Sequence, residues 1–175
     1  MFRNIRAIHK WIGLVNSLFL VVISCTGLLL ALKKRFDWIQ PPTHKGEVLA
    51  NLNEVVPIGK AADAVFAANV PELKSMEDVN RFELHVDKNV FKVTSKEGFK
   101  EVQVDAKTGE VLSVAQRNDM MFEAIHDMSF IHESLHTWVL PLVAISLFLL
   151  GVSGAYMFSV PVFRRWKYRQ KQGVA

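Results

Sequence analysis

Two long uncharged runs frame this chain, at residues 12–32 and 138–160. Each is long enough to cross a bilayer, which takes about 20 apolar residues. Pro141, Gly151 and Gly154 interrupt the second run, and such residues are tolerated in a membrane helix. Between the runs the pattern changes. Residues 58–69 are alanine-rich with apolar positions at helical spacing, and Pro71 stops them. After Arg81, Phe82, Leu84 and Val86 alternate with Glu83, His85 and Asp87, which is strand period. Turn residues at 87–89, 95–98 and 105–109 then separate further strands expected at 90–94, 99–104 and 110–114. The predicted class is a membrane α-helical protein with an α+β extramembrane domain. Residues 1–35 form the N-terminal tail and first transmembrane helix, and 36–130 the domain. Residues 131–160 form the second helix and 161–175 a basic tail.

Composition agrees with that division. Half of the 175 residues are hydrophobic, and mean hydropathy is positive at +0.18. Both are high for a soluble domain. The single cysteine, Cys25, excludes an internal disulfide and a cysteine-based metal or iron–sulfur site within one chain. The net charge of +4 sits largely beside the spans, so it sets topology and is no signal for nucleic acid. One side carries Arg3, Arg6, Lys10, Arg164, Arg165, Lys167, Arg169 and Lys171. The other has Lys33, Lys34, Arg35 and Arg117. The positive-inside rule puts both termini in the cytoplasm. The domain is then periplasmic, and the chain a two-span protein of a bacterial inner membrane. Trp11, Trp38, Trp138 and Trp166 fall near span ends, where indoles anchor among lipid headgroups. A signal peptide is the other reading of the first run, since Ile23-Ser24-Cys25 faintly resembles a lipoprotein cleavage site. The full span length, ending in Lys33-Lys34-Arg35, favours a retained helix.

The histidines carry the candidate chemistry. His126, His132 and His136 lead into the second span, and His9 opens the first. Ionisable groups at a membrane boundary are costly and usually functional. Haem iron in a membrane bundle takes neutral imidazoles, with small residues to admit the flat macrocycle. His9, Gly13, Cys25 and Gly27 in the first span, with His136, Gly151 and Gly154 in the second, supply that inventory. The plainer reading is histidine at headgroup level and glycine for helix packing. His9 and His136 stand at opposite ends of spans about 30 Å long, so they cannot share one iron. On a continuous helix His132 and His136 would share a face, and one face cannot ligate iron from both sides. A bis-histidine site therefore needs a second chain, which a twofold homodimer supplies. His126, Asp127 and Glu133, with His132, offer imidazole and carboxylate to a ferric or similar ion outside the bilayer. A solvated juxtamembrane helix is the alternative. If residues 124–136 extend the second helix outward, His132 and Glu133 stand about one turn above His136. His44 and His85 read as isolated surface residues. The sequence carries no nucleophile–base arrangement, phosphate loop or metalloprotease signature.

Three stretches together resemble the PepSY-associated transmembrane helix family. They are Arg6-Ala-Ile-His9-Lys-Trp11-Ile-Gly13-Leu14 with Thr26-Gly27-Leu28; the loop segments Phe91-Lys-Val93 and Val104-Asp-Ala-Lys-Thr-Gly-Glu-Val111; and Leu135-His136 with Ser153-Gly154. The resemblance covers nearly the whole chain. Within the family the chain is similar to the small two-helix, haem-binding type of vibrios that assists ferrous iron uptake. That resemblance implies a homodimer binding haem b through His9, His136 or His132. It implies an inner-membrane ferric iron reductase, passing electrons to periplasmic Fe(III) and supplying Fe(II) for uptake, with a ferrous iron transporter as a further partner. The family's ligand does not align uniquely to one of the three histidines near the second helix. The alternative is a membrane-anchored PepSY binding or sensor module without a redox cofactor, or an accessory subunit of a transporter.

Overall fold

The computed structural model describes residues 2–132 and 134–172. Helices α1 (Phe2–Ala31) and α2 (Ile58–Ala67) come first. Strands β1 (Val79–His85), β2 (Val90–Ser95), β3 (Lys100–Asp105) and β4 (Val111–Gln116) follow, then α3 (Asn118–His126) and α4 (Leu140–Lys171). The chain divides into two compact units, residues 28–123 and residues 1–27 with 124–175.

In the first of these units the strands form one antiparallel meander in the order β1-β2-β3-β4. Phe91 pairs with Val104 and Val93 with Val102, so these four side chains share one face. That face packs on Ala61 and Val65 of α2, with Val70 and Leu73 from the loop behind it. The opposite face carries Lys92, Glu101, Gln103 and Asp105, and it too is buried. Residues 40–47 cross it as an extended strap. Gln103 accepts the His44 N–H and donates to the Pro42 carbonyl, while Asp105 accepts the Glu47 N–H at 2.7 Å. The strap lies so close that a Cβ on Gly46 would clash with the Asn89 carbonyl oxygen.

Arg117 anchors the charged part of this face. It forms a two-pronged pair with Asp119, 2.7 Å at each contact, and a further ion pair with Glu101. Lys92 lies 3.8 Å from Glu101 and Lys33 3.8 Å from Asp119. Burial disfavours the Arg117 cation, but the two carboxylates outweigh it and raise its pKa. The Asp119 N–H also bonds the Ile39 carbonyl, and Asn118 bonds that of Trp38.

Two helices are long and apolar enough to cross a membrane, Arg3–Ala31 and His136–Lys171; the other unit holds the first as far as Gly27 and the whole of the second. Their outward sides show Leu18, Leu28, Phe148 and Phe158. Such exposure suits hydrocarbon. Polar contacts join the helices at separate levels: His9 to Ser153, and Asn16 to Ser146 at 2.7 Å.

The expected strands all form, with bounds shifted by one to a few residues. Helix α3 was not foreseen. The continuous helix considered over 124–136 does not form. Helix α3 ends at His126, where Asp127 accepts the Ser129 N–H and Met128 takes a positive φ of 64°. An aspartate bonding its own backbone two residues on favours a turn over further helix. A π-helical turn, Leu135–Val139, then precedes α4. Helix α4 itself continues to Lys171, through the segment expected as a basic tail.

Candidate functional site

His9 sits on α1, two turns from its start. Its Nδ1 lies 2.8 Å from the Ser153 hydroxyl of α4. That hydroxyl also contacts the Leu150 carbonyl at 3.1 Å. The next residue, Gly154, is against the ring at Cε1, which a Cβ there would meet at 3.5 Å. An open cavity of about 450 Å³ flanks the imidazole, lined by apolar side chains that include Ile5, Ile12, Leu149 and Val152.

His126 repeats this arrangement at another level. Its Nδ1 lies 2.9 Å from the Thr26 hydroxyl of α1, which in turn donates to the Val22 carbonyl at 2.7 Å. The residue after Thr26 is Gly27, whose Cβ would approach His126 Cε1 to 3.3 Å. A second apolar cavity of about 480 Å³ is lined by Leu18, Val22, Ile125, Phe130 and others, and the His126 ring is not part of its wall. His9 and Thr26 are separated by about 25 Å along α1, at about 1.5 Å per residue. The two imidazoles therefore define two sites. Between them Asn16 accepts from Ser146 and donates to the Ile12 carbonyl.

The other expected ligands are placed differently. His136 lies in the π-helical turn, with Nδ1 3.2 Å from the Asp127 carbonyl oxygen and 3.9 Å from its carboxylate. His132 is exposed, and its Nδ1 accepts the Ser134 N–H at 3.1 Å. The expected cluster of His126, Asp127 and His132 does not assemble, because the turn at 127–131 sends His126 to Thr26 and Asp127 to His136. Glu133 lies outside the described residues. Among the described residues no group of three or more His, Cys, Asp or Glu side chains gathers as a metal site. Pattern reading missed Thr26 and Ser153 as partners of histidine. The available signal was the repeated hydroxyl-glycine pair, Thr26-Gly27 and Ser153-Gly154.

The sequence pattern of the PepSY-associated TM region matches residues 6–174. No curated protein and no solved structure matches the chain. The chain belongs to the PepSY-associated transmembrane family: a membrane protein whose two apolar helices flank, in sequence, a small four-stranded antiparallel domain. The resemblance to haem-bearing members can be tested on the donor groups. Two imidazoles, each tied at Nδ1 by a hydroxyl and each with a glycine against Cε1, fit what haem iron takes from a protein, and an apolar cavity borders the one at His9.

Proposed function

We propose that the helix pair holds haem b and carries electrons across a bacterial inner membrane to ferric iron. The supporting observation is the doubled arrangement of imidazole, hydroxyl and glycine, at His9 with Ser153 and Gly154, and at His126 with Thr26 and Gly27. His9 and His126 would hold the group, each through Nε2. When bound, haem b supplies a one-electron carrier in a medium that excludes free ions. One chain provides a single clamped imidazole at each level. The same histidine of a second copy would supply the other imidazole, which makes a homodimer the working form. Ser153 and Thr26 orient the rings, and Gly154 and Gly27 leave room at Cε1 of each. His136 and His132, also weighed as ligands, take local partners instead.

Ferric iron is the substrate at the periplasmic face. With the wider cluster unformed, Asp127 and His136 remain as the paired carboxylate and imidazole before α4, and carboxylate oxygen suits ferric ion. The excess of basic residues at both termini supports a cytoplasmic position for them.

Purified full chain should show a Soret band and reducible α/β bands. His9→Ala and His126→Ala should each remove part of the haem, while His132→Ala and His44→Ala leave it. A colourless protein with its domain folded would refute this reading and leave the binding or sensor module, or the transporter accessory subunit.

A further inference from the structure

We infer that Thr26 and Ser153 are positioning residues that fix the tautomers of His126 and His9, leaving the Nε2 lone pair of each ring as its donor toward a metal. The inference rests on the haem reading for its purpose, though not for its test.

A hydroxyl has one proton to donate and two lone pairs to accept with. The Thr26 hydroxyl lies 2.7 Å from the Val22 carbonyl and 3.2 Å from that of Ile23. Carbonyls only accept. An oxygen pair 2.7 Å apart needs a proton between its members, so the Thr26 proton belongs to Val22. The contact of 2.9 Å between Thr26 and His126 Nδ1 must then take its proton from the ring. His126 is Nδ1–H, and its in-plane lone pair is on Nε2. At Ser153 the Leu150 carbonyl stands 3.1 Å from the hydroxyl and His9 Nδ1 2.8 Å, and one hydroxyl proton satisfies both contacts only when it goes to the carbonyl and the ring donates. Backbone carbonyls one turn back thus set the direction of both hydroxyls.

His132 is the internal contrast. Its Nδ1 accepts a backbone N–H from Ser134, which cannot be reversed, so a neutral His132 carries its proton on Nε2. The chain therefore sorts its histidines by tautomer. A ring whose other nitrogen donates to a fixed acceptor is the usual arrangement behind a metal-ligating histidine.

The test uses the full chain with ¹⁵N-labelled histidine, reconstituted without haem in lipid nanodiscs. The sample is held near pH 8, above the usual imidazole pKa of about 6.5. Ring ¹⁵N shifts report the tautomer, and removal of each histidine in turn assigns them. His9 and His126 should be Nδ1–H, and His132 Nε2–H. Thr26→Val should move His126, and Ser153→Ala should move His9, to the Nε2–H form that solvated histidine favours. Thr26→Ser and Ser153→Thr should preserve the wild-type tautomers. On haem titration the two hydroxyl-free variants should bind about 10- to 100-fold more weakly, with the swaps close to wild type. An Nε2–H ring at His9 or His126 in the wild-type apoprotein, or unchanged tautomers in the hydroxyl-free variants, overturns the inference. Failure of every variant to bind haem refutes the haem reading and leaves the tautomer result intact.

Discussion

Both units bury polar side chains, but they finish their hydrogen bonds differently. On the sheet, the charges close on one another. Glu101 receives Arg117, Gln103 and Lys92, and Asp119 receives Arg117 and Lys33. Buried side-chain atoms left without a partner among the described residues are confined to Glu72, Thr94 and Ser113. In the helical unit, the chains of bonds that reach His9 and His126 are linear: each starts at a backbone carbonyl, passes through a hydroxyl and ends on an imidazole with one nitrogen still to use. A closed circuit holds a shape. An open one presents a donor. The comparison predicts that the same kind of deletion damages folding in one unit and ligand binding in the other.

The largest effect should come from opening the closed circuit. Arg117→Ala leaves Glu101 and Asp119 buried without their main cation. Breaking a buried pair from one side costs about 3–5 kcal/mol. Urea unfolding of the sheet unit, followed by near-ultraviolet circular dichroism on the full chain, should show that loss with haem content unchanged in the membrane fraction. A destabilisation under about 1 kcal/mol would mean the circuit is solvated and the contrast is false.

The strap offers the next test. At Gly46 an added Cβ meets backbone, the Asn89 carbonyl, which no rotamer change relieves. Gly46→Ala should destabilise the sheet unit by about 1–3 kcal/mol, as overpacking does. Gly59→Ala, with nothing within 4 Å, should be neutral or slightly stabilising in α2. Equal stability for the two variants would show that the strap yields.

The strap also marks where sequence reading stopped. The spans were legible because hydrocarbon imposes length and apolarity over the whole run. The strands were legible because Phe82, Leu84 and their partners keep period two. Nothing in that alternation told that the polar face of Lys92, Glu101 and Gln103 is covered, since solvent and a hydrogen-bonding strap ask for the same side chains. The histidines were legible as an inventory. His126 was read with Asp127 because they adjoin in sequence. A helix ending at His126 and an Asx turn at Asp127 point them apart, and local turns of that kind are weakly encoded. Thr26 and Ser153 were recognised as parts of a family pattern, while their reach to histidines 100 and 144 positions away is a tertiary fact.

The open circuits differ in tightness, and that sharpens the comparison further. A Cβ at Gly27 would come within 3.3 Å of His126, against 3.5 Å at Gly154 to His9. The first requires the ring to give by a few tenths of an ångström; the second is ordinary contact. Gly27→Ala should weaken haem binding several-fold, below the cost of losing the hydroxyl, and Gly154→Ala should change it less. Each should leave the urea midpoint of the sheet unit in place. A shift in that midpoint equal to the one from Gly46→Ala would show that the units do not respond separately.

The smallest effect belongs to Asp105, where a closed circuit meets a proton. Burial pushes this carboxyl up. Backbone N–H groups of Thr108, Glu47 and Lys107 outweigh it and hold the pKa below the usual 3.8. A carboxylate depressed in the folded state adds stability above its unfolded pKa, and that stability is lost as pH falls through the folded value. The sheet unit should therefore weaken below about pH 4. Asp78, also depressed through the backbone N–H groups of Lys74 and Ser75, contributes to the same window. Asp105→Asn removes one titrating group but keeps an acceptor oxygen for part of the turn. The variant should be less stable at neutral pH, because an amide N–H₂ now faces one of the backbone donors. Its stability should then fall less steeply between about pH 4 and pH 2 than that of the wild type. Asp78→Asn should flatten the same curve independently, the two side chains having no shared partner. Parallel acid profiles for wild type and Asp105→Asn would show that these three N–H groups bind the carboxylic acid as well as the carboxylate. The strap would then be held by shape more than by charge.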